Sequence, residues 1–268
     1  MYMVIQELQE NLNKVIKTDP GNTFQQEWMI YDPLLLGVAP ADDPLFYKMK
    51  EESIVGAYHL LPEEWLPGAV TVISYFLPFT KEVRASNEFK GKGSMEWLHA
   101  RFIGEEFNNK IRSLIVQDIK ALGADALAPL LEKRMVIDFH GMTSNWSERH
   151  AAYAAGLGTF SLNRGLITAK GMAGRFGSVI TTLHIEPTPR SYNDPFQYCP
   201  WMVDGSCGAC MKRCPSGAIT EEGKDKKICH EYLFHTDPLK KERGPYGYPY
   251  SACGKCETGV PCENQIPS

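Results

Sequence analysis

The placement of cysteine constrains this chain more than any other feature. All eight cysteines fall between Cys199 and Cys262, and the long stretch before Cys199 contains none. Such a density marks a module organised by metal or by disulfides. It divides the chain before any secondary structure is read, into a segment 1–190 and a cysteine segment 191–268. The start, MYMVIQELQENLNKVIK, lacks the basic head, apolar core and small-residue cleavage site of a secretory signal. The longest apolar stretch, 69–79, is interrupted by Thr71, Ser74 and Pro78 and falls far short of the roughly 20 residues of a membrane span. A cytoplasmic protein without membrane segments is expected, and there thiols stay reduced.

Spacing then narrows the chemistry. Cys207, Cys210 and Cys214-Pro215 match the last three positions of the C-x2-C-x2-C-x3-C-P run of bacterial ferredoxins, in which the fourth cysteine ligates the other cluster. The slot three residues before Cys207 is Asp204, and Cys199 is the spare thiol nearest to it. Cys229, the pair Cys253 and Cys256, and Cys262 complete the set. The expected arrangement is two [4Fe–4S] clusters, one on Cys199, Cys207, Cys210 and Cys262, the other on Cys214, Cys229, Cys253 and Cys256. Asp204 is the competing ligand for the first. Two zinc ribbons would also use paired C-x2-C knuckles, but would not require a three-cysteine run ending in Cys-Pro. A disulfide scaffold would need an oxidising compartment.

The cysteine-free segment has material for a core, the chain being 43% hydrophobic. Ile5, Leu8, Leu12, Val15 and Ile16 recur at helical spacing over residues 2–16, ahead of the breakers Asp19, Pro20 and Gly21. Residues 95–122 carry the longest helical pattern, with Ser94 as N-cap and Gly123 just past the end. Residues 70–77 and 134–139 are expected as buried strands, with Asp138 near the end of the second. A helix over 147–155 closed by Gly156, and strands within 158–168 and 175–186, complete the reading. Residues 24–50 give no clear pattern, and 63–68 read as a loop. The fold class is an α/β (α+β) layered domain followed by a ferredoxin-like domain for two clusters.

Two segments together resemble one family. Arg134 to Asp138, Ser147-Glu148-Arg149, Ala155-Gly156-Leu157-Gly158 and Asn163 form the first, and the cysteine tail with Cys229 in the context CHEYL forms the second. The chain is similar to the epoxyqueuosine reductases, relatives of the reductive dehalogenases. That resemblance implies an α/β cobalamin-binding domain before a two-cluster ferredoxin domain. It implies Asp138 as proton donor, and Gly156, Gly158, Ser161 and Asn163 as a cofactor loop. It also implies a reduced donor of ferredoxin or flavodoxin type. The chain departs from the pattern at Asp204, in the loop 159–164, in the extra residues between Asp138 and Ser147, and after Cys256.

Acidic residues outnumber basic ones, 32 to 28. The basic runs 224–227 and 240–243 are short and lie in the tail, where they read as solvated loops. On that ground a small molecule or a corrinoid-carrying protein is expected as substrate, rather than tRNA. His150, His184 and His235 are expected to be structural or superficial. An electron carrier without substrate chemistry of its own, and a cluster-based sensor, are the competing functions.

Overall fold

The computed structural model describes residues 2–25, 27–236, 241, 247 and 251–268. Of the basic run 240–243, only Lys241 lies within them.

The elements that position the site run in this order: α1 (Tyr2–Thr18), β1 (Leu35–Pro40), α2 (Pro44–Lys48), β2 (Thr71–Pro78), α3 (Met95–Ala121), β3 (Ala126–Leu127), β4 (Ile137–Asp138), β5 (Thr143–Ser144), α4 (Glu148–Ala154), β6 (Gly158–Phe160), β7 (Leu166–Thr168) and β8 (Gly174–Thr181). In the cysteine segment follow α5 (Pro200–Asp204), α6 (Ala209–Arg213), β9 (Ile219–Thr220), β10 (Gly223–Lys224) and α7 (Lys226–His235). The main sheet has four strands in the order β1-β2-β8-β3, every neighbouring pair antiparallel.

Every residue of β2 is buried, because both faces of the strand are covered. Ile73, Tyr75 and Leu77 pack with α1 and α3, while Val72 packs with Trp146, Ala151 and Ala154 at α4. The result is three layers, helix on sheet on helix. Helix α3 starts where expected: Ser94 Oγ accepts from Trp97 N at 3.0 Å. Past its last turn Gly123 takes φ +84°, a left-handed conformation that favours glycine.

Strand β3 covers only Ile180 and Thr181, so the first half of β8 would be an open edge. Helix side chains close it. Asn108 Nδ2 and Arg112 Nη2 each donate to the Phe176 carbonyl at 3.0 Å. Arg112, 1% exposed, also bonds Glu105 at 2.8 Å and Glu148 at 3.3 Å. Burial opposes ionisation of Glu105, yet Arg175 and Arg112 hold it down at about 2.

Three expectations change. The strand over 134–139 shrinks to β4, which pairs with β5 as a hairpin outside the main sheet. Val136 and Ile137 are both 56% exposed, so this apolar run does not enter the core. The position beside β2 belongs instead to β1, within the stretch 24–50 that periodicity left unassigned; its sequence LLGVAP has neither alternation nor a strand-like length of β-branched residues. The loop expected over 63–68 begins as a short helix, Pro62–Trp65.

Candidate functional site

All eight thiols are free. Cys199 precedes α5, Cys207 precedes α6, Cys210 lies in α6 and Cys214 at its end. Cys229 lies in α7. Cys199, Cys210, Cys214, Cys256 and Cys262 share one apolar cluster with Leu162, Ile167, Met172 and Ile219.

Electrostatics resolves the thiols into neighbourhoods. Burial pushes Cys210 up to about 11, with Cys199 and Cys207 adding to the rise. Burial pushes Cys262 up to about 12, reinforced by Cys210, Cys199 and Cys207. Cys253, raised to about 11 by burial, feels Cys229 and Cys214. Cys256 is raised further by burial, and its cysteine neighbours are Cys253 and Cys229. Cys210 and Cys262 thus interact with Cys199 and Cys207, and Cys253 with Cys229 and Cys214. The Asp204 carboxylate turns back on its own loop, accepting from Ser206 N at 2.8 Å.

Among the described residues no three His, Cys, Asp or Glu side chains converge tightly enough for a single metal ion. The donor set, soft thiolates in apolar surroundings, fits iron–sulfur clusters.

The tail is tied to the layered domain through Asn87, which is fully buried. Its Nδ2 donates to Cys253 O at 3.0 Å and to Thr258 Oγ1 at 3.2 Å. Its Oδ1 accepts from Ser94 N at 2.9 Å and from Lys255 Nζ at 3.0 Å. Arg213 Nε donates to Lys255 O at 3.0 Å, and Arg84 pairs with Glu263 at 2.9 Å. Residues 87 and 255 carried no sequence signal, since an isolated Asn and a Lys between two cysteines are individually unremarkable.

The loop residues expected at a cofactor have other occupations. Asn163 Nδ2 donates to Cys256 O at 2.5 Å, and its Oδ1 accepts from Ser161 Oγ at 2.7 Å and Gly165 N at 2.8 Å. Gly158 pairs with Thr168 in a β6–β7 hairpin so tight that a Cβ would stand 2.0 Å from Ile167 O. Gly156, at φ +80°, ends α4. Asn163 joins the loop to the cluster tail, and the polar side-chain atoms of Ser161 and Asn163 have protein partners.

Asp138 lies near the surface on the β4–β5 hairpin and accepts from His140 N at 2.8 Å. Backbone N–H groups of Gly141 and His140 hold its carboxyl below the usual carboxylate range. In this position it is an ionised acceptor rather than an acid. It borders a groove of ≈ 460 Å³ with Tyr58, Leu60, Val136 and Thr143. The hairpin leans on α7: Phe139 meets His230 and Phe234 at ring distances of 5.6 and 5.9 Å, and Lys226 Nζ donates to Met142 O at 2.8 Å.

Cations separated in sequence also meet. Arg149 Nη1 donates to Arg164 O at 2.9 Å. Burial and the charges of Arg164, Arg149 and Lys224 hold Lys226 below its ordinary value. Lys224 is half-buried, whereas Lys226 and Lys227 are exposed as expected of a solvated run, although Lys226 Nζ reaches Met142 O. His150 is structural, its Nδ1 2.7 Å from Ser147 Oγ, and His235 is superficial.

No protein-family model matches the chain. An epoxyqueuosine reductase of Bacillus cereus is 26% identical over 206 residues, covering 75% of this chain and 50% of that one. The likeness is to epoxyqueuosine reductases. This chain spans about half the length of the curated relatives it matches. The fold is shared with an epoxyqueuosine reductase of Bacillus subtilis whose catalytic aspartate loop is swung out of the active site, at TM-score 0.56 and 16% identity, over 100% of this chain and 67% of that one. It is shared with an epoxyqueuosine reductase bound to an epoxyqueuosine-modified tRNA stem loop, at TM-score 0.55 and 18% identity, over 98% and 66%. A reductive dehalogenase structure interpreted through B12-dependent chemistry gives 0.54 at 16% identity, over 87% and 30%. The expectation that excluded tRNA no longer stands, since a neighbour of the same fold holds a tRNA stem loop. No described helix is long and apolar enough to cross a membrane.

Proposed function

We propose that the chain is an iron–sulfur oxidoreductase of the epoxyqueuosine reductase type. Residues 191–268 act as a ferredoxin-like module for two [4Fe–4S] clusters, and residues 1–190 hold the reacting centre. The observation that carries the reading is the gathering of free thiols in the tail: five of them share one apolar cluster, and Cys253 lies within the influence of Cys229 and Cys214. Cys199, Cys207, Cys210 and Cys262 would hold one cluster, and Cys214, Cys229, Cys253 and Cys256 the other. The clusters supply single electrons taken from a reduced ferredoxin or flavodoxin-type donor.

Within the chain, Asn163 and Met172 hold the loop against the tail, so the layered domain and the second thiol set keep a fixed separation. Asp138 serves as proton carrier on a hairpin that changes position. At its present site the carboxylate is capped by backbone donors; loss of those donors in a drier environment raises its affinity for a proton. The swung-out aspartate loop of the Bacillus subtilis enzyme supports such a motion. A corrinoid is the family's cofactor, and the polar atoms of Ser161 and Asn163 beside its expected loop are engaged by protein partners. The substrate is a small molecule, a corrinoid protein or tRNA; the cationic meeting of Arg149, Arg164, Lys224 and Lys226 favours an anionic one.

The test is anaerobic purification followed by iron, zinc and cobalt analysis and electron paramagnetic resonance. Eight irons per chain and two reducible signals are expected. Stoichiometric zinc with little iron overturns the reading. Titration with hydroxocobalamin, and with unmodified and epoxyqueuosine-bearing tRNA at two salt concentrations, separates the substrates. Reversible reduction with no bound corrinoid and no turnover would assign the chain as an electron carrier instead.

A further inference from the structure

The β4–β5 hairpin is fastened to the molecule at its base and at its tip, and the two fastenings differ in kind. At the base, Asn145 engages main-chain groups on three sides. Its Oδ1 accepts from Val136 N at 2.9 Å, and its Nδ2 donates to Arg134 O at 2.7 Å. Its own N donates to Val136 O at 3.1 Å, and its O accepts from Leu60 N at 2.9 Å. A carboxamide offers an acceptor and a donor side by side, the same pair that a backbone offers to a neighbouring strand. Asn145 thereby staples the chain entering the hairpin to the chain leaving it, and ties both to the segment at Leu60.

The base is anchored in turn to the core. Arg134 donates to Glu64 O at 3.1 Å and to Trp65 O, and its guanidinium lies 4.6 Å from the centroid of the buried Trp65 ring. Trp146, the residue after Asn145, is also buried. Its ring stacks on those of Phe46 and His59 at 5.9 and 5.4 Å, and its Nε1 donates to Ser178 Oγ on β8 at 2.9 Å. The tip, residues 138–143, is held more lightly. Thr143 Oγ1 donates to Val55 O, Lys226 Nζ donates to Met142 O at 2.8 Å, and the half-exposed Phe139 ring rests on His230 and Phe234. Water can replace each polar tip contact as the tip lifts, whereas moving the base would bare the Trp65 and Trp146 rings.

We propose that Asn145 is the pivot of this hairpin: the tip bearing Asp138 swings, while Arg134, Val136, Asn145 and Leu60 stay in place. The inference rests on the reading of Asp138 as a proton carrier on a moving hairpin, and adds which residues move and which hold still. A fixed base gives the motion its use. The two chain ends that carry the tip keep their spacing, so Asp138 leaves and regains the same position on every excursion. Thr143 and Phe139 act as latches on the tip, and Asn145 sets the boundary beyond which opening does not spread.

The experiment is hydrogen exchange, resolved to single amides, on the anaerobic full chain. The Leu60 amide reports the base, because its partner is Asn145 O. The amides of 138–143 report the tip, and those of β2 report the stability of the whole. Phe139→Ser and Thr143→Val, made separately, should speed exchange at the tip and leave Leu60 protected as in wild type. Asn145→Ala should speed exchange at Leu60 by about tenfold or more while β2 keeps its wild-type protection, since the opening is local. Leu60 loosened together with the tip in Phe139→Ser or Thr143→Val overturns the proposal, because the hairpin then moves with its base. A protected Leu60 in Asn145→Ala also overturns it, as does an equal loss of protection in β2, which marks a general structural role. Should Asn145→Ala fail to fold, the two tip variants decide by the same criterion. Turnover measured on Asp138→Asn keeps the two readings apart: full activity there takes the proton role from Asp138 and leaves the pivot to the exchange result.

Discussion

Two regions of the layered domain touch the cysteine tail, and they do so in opposite ways. At Asn87 the contact is buried and saturated: one amide side chain bonds Cys253 O, Thr258, Ser94 N and Lys255. At the β4–β5 hairpin the contact is superficial. Phe139, 50% exposed, rests on His230 and Phe234, and one lysine reaches Met142 O. Electron transfer needs fixed distances, and a saturated buried joint provides them. A carboxylate that must exchange protons with solvent and then meet substrate needs an element that opens at low cost. The two contacts divide these tasks.

The largest test of that division is Asn87→Ala. It strips partners from buried donors and acceptors on both sides of the joint, and each group left unsatisfied costs about 1–3 kcal/mol. Denaturant titration of the loaded protein should show a loss of about 3 kcal/mol or more, with lower iron content. Stability and iron content at wild-type levels would mean that the joint is not what fixes the tail.

An effect of similar order is expected from pH. His59, fully buried and stacked at 5.4 Å on Trp146, lies under the segment leading to the hairpin, and burial holds its pKa down at about 4 from 6.5. The neutral ring is favoured by folding. Its contribution is therefore complete above 6.5 and is lost as pH falls from 6.5 to about 4. The loss is on the order of 3 kcal/mol. Glu105, held at about 2 from 4.5, extends the decline: its contribution is full above 4.5 and fades as pH drops toward 2. His59→Phe should flatten the stability profile between pH 6.5 and 4 while leaving the lower decline in place. An unchanged slope in that window would remove His59 from the account.

Phe139→Ser should be the mildest in stability, within about 0.5 kcal/mol, because the ring is half exposed. Its expected effect is on the hairpin: faster amide exchange over residues 137–144 and a changed turnover rate. Protection there equal to wild type would argue that Phe139 does not latch the hairpin to α7. Asp138→Asn should leave melting unchanged and abolish turnover. Full activity in that variant would take the proton role away from Asp138.

Much of this was legible in the sequence. The spacing of Cys207, Cys210 and Cys214 pointed to clusters because a metal module writes its ligands into a short run. Helix α3 and its cap at Ser94 were legible because capping and periodicity are local. Strand β2 was legible because burial on both faces demands a continuous apolar run. The same logic misplaced 134–139, where an apolar run ended as an exposed hairpin, and passed over β1, whose place is given by pairing with β2 rather than by its own residues.

The sequence by itself determined the inventory: eight thiols, the helix caps and the buried central strand. The tertiary structure alone decided what surrounds those thiols, placing Cys199, Cys210, Cys214, Cys256 and Cys262 in one apolar cluster with Leu162, Ile167, Met172 and Ile219. It also decided that Asn163 reaches Cys256 O, that Lys255 points inward onto Asn87, and that Lys226 reaches Met142 O. Each of these depends on distances between residues far apart in the chain. Electrostatic and hydrogen-bonding energies follow separation in space, which sequence separation does not encode.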